Sequence, residues 1–201
     1  MNELEEMIIS MVAIMVAFTI AVWGINVFFQ SGFIYKLMII GFTVGIGFMT
    51  HEMGHKYAAE KFGSPTRFVM WPQGLLLMFL LAPFGFIFAA PGAVYIFKRM
   101  GRTENGIVSL AGPLMNMILY TVFAAIIILS GMLQFKLSET VFLIAVIGMQ
   151  INALLSTFNL LPIFILDGAK VINWDFKIWL GAFLISLMML FNYGVIASFA
   201  Y

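Results

Sequence analysis

The chain has 201 residues, of which 63% are hydrophobic and 9% are charged, and its formal net charge is +1. A composition this apolar excludes a soluble globular domain. A net charge near zero also excludes the strongly basic surface that nucleic-acid-binding proteins have. Several apolar runs of about 20 residues predict an all-α, polytopic membrane protein in contact with the lipid bilayer. We expect a single membrane-embedded domain over residues 1–201.

Five segments are long and apolar enough to cross a bilayer as helices. In chain order they are residues 7–29, 34–61, 105–131, 138–161 and 178–199. Gly41, Gly45 and Gly47 give the second segment a face of small residues for close helix packing. The sequence Ala111-Gly112-Pro113 predicts a break near the start of the third segment.

A further stretch, residues 72–97, is also apolar and long enough to span. It contains three prolines and three glycines, with aromatic and β-branched residues between them, a composition unfavourable for a helix. We therefore expect residues 72–97 to form a re-entrant segment or a β-hairpin. Non-helical backbone at membrane depth is tolerated where protein or a water-filled cavity covers it, so this segment should pack beside a cavity.

The second predicted helix carries His51-Glu52-Met53-Gly54-His55 near its far end. On a helix, residues four apart share one face, so His51 and His55 point the same way. Glu52 follows about 100° round the helix, within reach of a metal site held by the pair. Ionisable groups at the end of an apolar run are costly unless they are paired or used. The motif therefore predicts a metal site, with Glu52 near enough to reach a metal-bound water, rather than an accidental spacing.

Two histidines leave a zinc ion short of ligands, because catalytic sites usually have three protein ligands and one open position. The chain has no cysteine and no third histidine, so the third ligand must be a carboxylate. Glu60 lies about 180° round the helix from His51, and Glu104, Glu139 and Asp175 fall where membrane boundaries are expected. Asp167 follows a proline-terminated helix and precedes Gly168. We favour Asp167 as the ligand over a simple turn-forming aspartate.

Topology tests this choice, because the ligands of one ion must lie on one side of the membrane. Two crossings separate Lys61 from Asp167 if residues 72–97 re-enter, and three if they span. Re-entry also collects eight basic residues on the histidine side and leaves only two on the other. The eight are Lys56, Lys61, Arg67, Lys98, Arg99, Arg102, Lys170 and Lys177; the two are Lys36 and Lys136. This bias places the site toward the cytoplasm.

These motifs, taken in order, resemble the site-2 proteases, which are intramembrane zinc metalloproteases. The resemblance covers roughly residues 35–170 and rests on the HExxH motif, the Ala-Gly-Pro sequence, and Asn159-x-x-Pro162 followed by Asp167-Gly168. It implies one zinc ion held by His51, His55 and Asp167, with Glu52 as catalytic base. It places Asn159 where the family has an asparagine that helps to hold substrate or the oxyanion. A buried amide that ties the Pro162 turn to its neighbours is the alternative for Asn159.

The expected function is hydrolysis of peptide bonds in or near transmembrane segments of membrane-protein substrates. Residues 67–71 and 93–97 could offer an edge strand to an unwound substrate. Asn116, Gln150 and Asn152 are interpreted as interhelical hydrogen-bonding residues. The alternative function is a metal transporter or chaperone without catalysis, which would need ionisable residues spread along a pore.

Overall fold

The computed structural model describes residues 1–85, 91–163 and 165–198. In order, the elements are α1 (Glu3–Trp23), α2 (Phe33–Lys61), β1 (Thr66–Met70), α3 (Pro72–Leu81), β2 (Gly92–Ile96), α4 (Arg102–Met132), α5 (Glu139–Asn159), α6 (Asp167–Trp174) and α7 (Phe176–Ala197). In the described ranges, α1, α2, α4, α5 and α7 are long and apolar enough to cross a membrane. The prediction of an all-α polytopic protein with about five spans and a small hairpin is confirmed.

The first span begins and ends earlier than predicted. The Asn2 side chain accepts a hydrogen bond from the Glu5 N–H at 2.8 Å, and the Glu5 carboxylate accepts one from the Asn2 N–H at 2.9 Å. This capping box starts α1 at Glu3. Gly24, at φ +79°, ends the helix, and Ile25–Phe29 form a short 3-10 turn instead of its last residues. At the other end of the chain, the predicted limit of the last span, residue 199, lies outside the described residues.

Helix α2 contains a π-helical stretch, Gly41–Gly45, one turn before the histidine motif. A Cβ at Gly41 would lie 2.6 Å from the Met15 side chain on α1. A Cβ at Gly47 would lie 2.9 Å from the Asn152 side chain on α5. The glycines therefore do allow close packing. The prediction of one small-residue face is wrong, because Gly41 packs against α1 and Gly47 packs against α5.

Strands β1 and β2 pair antiparallel, with Thr66 opposite Ile96 and Met70 opposite Gly92. The chain between them therefore returns to the place it left, which confirms the re-entrant prediction for residues 72–97. The expectation that this segment lacks helix is wrong, because α3 occupies its first ten residues. Pro72 stands at the first helical position, where a missing N–H costs nothing, and leucines follow it.

Helix α4 runs unbroken through Pro113, contrary to the predicted break. Pro113 is buried, and its carbonyl accepts a hydrogen bond from Ser156 Oγ of α5 at 3.1 Å. Proline is tolerated inside a membrane helix when neighbouring helices satisfy the backbone groups around it. The Ala111-Gly112-Pro113 sequence therefore marks a tight helix contact in the middle of the fold.

Helix α4 is the central element and packs against α2, α5, α6 and α7. One apolar cluster joins α1, α2, β1 and α3, and within it the Phe48 and Phe68 rings meet edge to face at 6.0 Å. A second cluster joins α4, α5 and α7 around Phe123 and Met149. The histidine motif lies between the clusters, where α2 crosses α4.

Candidate metal centre

The two histidines of α2 present the same ring nitrogen to one point. His51 Nε2 and His55 Nε2 lie 3.1 Å apart. His55 Nδ1 lies 2.8 Å from the Val108 carbonyl on α4, which can only accept, so Nδ1 carries the proton. In the neutral ring, His55 Nε2 then has a free lone pair directed at the centre.

Asn116 of α4 holds His51 in the same tautomer, with the proton on Nδ1. Its Oδ1 lies 2.7 Å from His51 Nδ1, while its Nδ2 donates to the Gly47 carbonyl at 3.0 Å and to Asn152 Oδ1 at 2.9 Å. Because Nδ2 is needed for the carbonyl, Oδ1 must face the histidine, where it accepts a hydrogen bond from His51 Nδ1–H. Asn116 and Asn152 are interhelical residues as interpreted from the sequence; Gln150 is exposed instead.

Asp167 completes the group from the first residue of α6. Its Oδ2 lies 3.0 Å from His55 Nε2 and 3.4 Å from His51 Nε2. A Cβ at Gly168 would lie 2.1 Å from the Leu160 carbonyl, so the loop reaches this position only with glycine there. Burial by itself raises the pKa of Asp167, but the neighbouring histidines outweigh it and hold the pKa of this carboxyl well below its usual range. The group is therefore an ionised ligand candidate.

The donor set fits a zinc ion. In the neutral rings that metal binding requires, with the proton on Nδ1, His51 Nε2, His55 Nε2 and Asp167 Oδ2 would offer three lone pairs to one point. Their separations of 3.0–3.4 Å are close to the edge of a tetrahedron with zinc–ligand bonds near 2.1 Å, which is about 3.4 Å. Gly112 of α4 provides the room, because a Cβ there would lie 2.4 Å from His55 Nε2. Three such atoms could hold a metal and leave a fourth position open.

Glu52 stands beside this group and contacts the hairpin rather than the ligands. Its Oε2 accepts a hydrogen bond from the Val94 N–H of β2 at 3.1 Å. Residues 71 and 91, and residues 65 and 97, are hydrogen-bonded pairs of the ladder. Hydrogen-bonded and non-hydrogen-bonded pairs alternate along two antiparallel strands, so Phe68 and Val94 form a non-hydrogen-bonded pair. The Val94 N–H therefore points away from β1, toward the outer edge of β2. The predicted catalytic base therefore lies between the candidate metal centre and an open strand edge.

Comparison with known proteins agrees with this centre. The chain is 39% identical over 180 residues to "Putative zinc metalloprotease MJ0611" of Methanocaldococcus jannaschii, across 89% of this chain and 87% of that protein. The chain belongs to this zinc metalloprotease family. It is also 33% identical over 145 residues to "Putative zinc metalloprotease YwhC" of Bacillus subtilis, across 65% of this chain and 66% of that protein. No family model and no solved structure matches the chain.

In this member of the zinc metalloprotease family, the centre opens into a cavity of about 500 Å³ between α2, α4, the hairpin and the start of α6. Asn159 lines the cavity and donates one Nδ2 hydrogen to the Leu155 carbonyl at 2.9 Å. Ser109 also lines it and is 3% exposed, and none of the described residues hydrogen-bonds its hydroxyl. Polar groups of α4, α5 and β2 thus surround the open side of the centre.

The residues that orient the candidate metal ligands were not identified from the sequence. Asn116 was interpreted as a helix-packing residue alone, and neither Ser109 nor the Val108 carbonyl was among the predicted site groups. The signal was helical spacing: Ser109, Gly112 and Asn116 recur at three- and four-residue intervals, so they line one face of α4. Lys170 was counted only for charge, yet its Nζ lies 3.3 Å from Asp167 Oδ1, the oxygen turned away from the histidines.

The other carboxylates considered as ligands lie elsewhere in the fold. Glu60 is exposed and accepts a hydrogen bond from Thr66 Oγ1 at 3.0 Å. Glu104 caps the start of α4 through the Gly101 N–H at 2.9 Å. Asp175 caps α7 through the Lys177 N–H at 2.7 Å. Each of these three carboxylates is hydrogen-bonded at a position away from the histidines. Among the described residues, Asp167 is the carboxylate that groups with His51 and His55.

Proposed function

We propose that this protein is an intramembrane zinc protease of the site-2 type, which hydrolyses peptide bonds in or near transmembrane segments. One observation carries the proposal: the lone-pair atoms of His51, His55 and Asp167 converge beside Glu52 in a cavity within a bundle of membrane-crossing helices. Membership of a zinc metalloprotease family supports it. We assign one zinc ion per chain to these three ligands.

Zinc bound at this centre supplies a Lewis acid that polarises the scissile carbonyl and acidifies water. Glu52 acts as general base: its carboxylate takes the proton of the attacking water and passes it to the leaving amine. Its position next to the centre suits this role, because among the described residues a single backbone N–H, that of Val94, donates to its Oε2. Asn116 and the Val108 carbonyl keep the two histidines in the tautomer that leaves Nε2 free.

Asn159 is assigned to the oxyanion. It lines the cavity and donates one Nδ2 hydrogen to the Leu155 carbonyl, and none of the described residues accepts the other. The second hydrogen is available to the oxygen that becomes negative when water attacks the carbonyl. Loss of one such donor costs about 3 kcal/mol of transition-state stabilisation.

The substrate enters as an extended strand. A transmembrane helix hides its carbonyls in its own hydrogen bonds, so it must unwind before water can attack. The outer edge of β2 offers alternate backbone groups from Gly92, Val94 and Ile96 beside the centre. Strand addition there aligns the opened peptide next to Glu52.

The centre faces the cytoplasm in this proposal. The start of α2 lies at the same end of the bundle as the start of α5, since Tyr35 Oη and Thr140 Oγ1 are 3.1 Å apart. The histidine end of α2 is therefore opposite, where most of the basic residues cluster in the sequence. Positive-inside bias assigns that end to the cytoplasm.

The test is zinc content together with cleavage of a model transmembrane peptide by protein purified in detergent. We expect about one zinc per chain in the wild type and in Glu52→Gln, because ligation and proton transfer are separate roles. Cleavage by Glu52→Gln should fall by about two to four orders of magnitude. Glu60→Gln, on the same helix but pointing away from the centre, is the control and should cleave normally. Full activity in Glu52→Gln would leave metal transport or storage as the better explanation.

A further inference from the structure

The outer edge of β1 is occupied by side chains of α1. The Phe68 N–H donates to Glu3 Oε1 at 2.9 Å, and the Met70 N–H donates to Glu6 Oε2 at 2.9 Å. These are the alternate N–H groups that point away from β2. Two carboxylates thus occupy the positions at which the carbonyls of a third strand would bind.

The helical spacing of α1 explains how one helix supplies acceptors to two outward N–H groups of β1. Glu3, Glu6 and Ser10 share one helix face, since they lie three and seven residues apart. Ser10 Oγ continues the series by donating to the Pro91 carbonyl, just before β2, at 3.3 Å. Arg67 Nη2, 2.9 Å from Glu6 Oε1, adds an ion pair. The helix face therefore follows the hairpin along its length.

Glu3 also links the hairpin to the helix that carries the histidines. Its Oε1 accepts from Lys56 Nζ at 2.5 Å, and Lys56 directly follows His55 on α2. On its other edge the hairpin contacts α2 through Val94 and Glu52. The hairpin is thus fixed at both edges relative to the candidate metal centre, by a carboxylate in each case.

The outer edges of β1 and β2 differ in which of their outward N–H groups lack an acceptor. On β1, α1 accepts from two of the three outward N–H groups, those of Phe68 and Met70, and none of the described residues accepts from that of Thr66. On β2, none of the described residues accepts a hydrogen bond from the outward N–H groups of Gly92 or Ile96. An unpaired edge recruits any extended chain, whereas an occupied edge does not.

We propose that Glu3 and Glu6 are positioning residues: they cap the outer edge of β1 and fix the hairpin against α2, so that a substrate strand adds only to β2, at the register set by Glu52. This role rests on the proposed function. A two-stranded ribbon is marginally stable by itself, so its position depends on such external contacts. Loss of the cap should weaken substrate binding rather than proton transfer.

The test compares Glu3→Ala/Glu6→Ala with wild type in the full-length protein in lipid nanodiscs. Amide hydrogen exchange at Phe68 and Met70 should become about tenfold faster or more, because each N–H loses a charged acceptor. Zinc content should stay at the wild-type level. KM for a model transmembrane peptide should rise about tenfold, while kcat falls less than threefold. Glu3→Gln/Glu6→Gln, which keeps an acceptor oxygen, should restore most of the KM.

Glu5→Ala is the matched control, since Glu5 lies in the same helix turn and caps α1 without contacting the hairpin. It should leave exchange at Phe68 and Met70 and the KM unchanged. Unchanged exchange in the double alanine variant would overturn the cap, and faster exchange with an unchanged KM would overturn the positioning role. If the wild type cleaved no peptide, the proposed function would fail and this role with it, whereas the exchange data would still show whether the carboxylates protect the strand.

Discussion

Asn116 Oδ1 lies 2.7 Å from His51 Nδ1, and the same amide donates to the Gly47 carbonyl at 3.0 Å. One buried side chain on α4 therefore fixes both the ring orientation and the tautomer of a residue on α2. Metal sites depend on such partners, because a histidine free to rotate or to change tautomer presents its lone pair only part of the time.

Replacement of Asn116 by alanine should weaken zinc binding by about 10- to 100-fold, since His51 loses the acceptor that orients it. Zinc affinity can be measured by competition with a chromophoric chelator. Gln150→Ala, an exposed amide on α5, should bind zinc like the wild type. Equal affinity in Asn116→Ala and wild type would show that the histidine needs no such partner.

Replacement of Gly112 by alanine should remove most of the zinc. The added Cβ would lie 2.4 Å from His55 Nε2 and 2.8 Å from His51 Cε1, so both rings must move. Metal analysis of the purified variant measures the effect. Gly181→Ala is the control, because its Cβ would meet nothing within 4 Å. Normal zinc content in Gly112→Ala would place the metal elsewhere.

Asp167→Ala should weaken zinc binding and abolish cleavage, because the centre loses its anionic ligand. Asp167→Asn keeps the shape and one oxygen, so it should bind zinc better than the alanine variant while still cleaving poorly. Asp175→Ala, which removes only the cap of α7, should change neither property. A dispensable Asp167 beside an essential Asp175 would overturn the ligand assignment.

The ends of the re-entrant segment should label from one side of the membrane. The chain has no cysteine, so single cysteines at Arg67 and Lys98 can be labelled with an impermeant thiol reagent in inverted and right-side-out vesicles. Both should react only from the cytoplasmic side, because β1 and β2 pair side by side. Lys136→Cys should react only from the opposite side. Labelling of Arg67→Cys and Lys98→Cys from different sides would contradict the paired strands.

Much of the architecture was predictable because it depends on local properties of the chain. Runs of apolar residues predicted five spans, and all five are present with shifted ends. The four-residue spacing of His51 and His55 was enough to place both on one helix face. Counting crossings between Lys61 and Asp167 predicted the re-entrant segment, because ligands of one ion must share a side of the membrane. The spans, the shared face of the histidines and the re-entrant segment all follow from the periodicity, length and charge of the apolar runs.

Local rules failed where tertiary contacts compensate. Pro113 does not break α4, because α5 packs against it and Ser156 bonds its carbonyl. Residues 72–81 form a helix for a local reason instead: Pro72 occupies the first turn, where proline costs nothing. Gly41 and Gly47 face different helices, which the sequence pattern cannot distinguish without the packing angles.

By itself, the sequence determined the class of protein, the histidine pair, the glutamate proposed as general base and the carboxylate expected to join them, since these follow from residue type and spacing. Only the tertiary structure decided which atoms orient the ligands and how the hairpin is held. Asn116 lies 65 residues from His51, and Glu3 lies 65 residues from Phe68. No periodic pattern links residues so far apart; they meet because α4 crosses α2 at Gly112 and α1 runs along the hairpin, and those crossings are set by side-chain packing across the whole bundle.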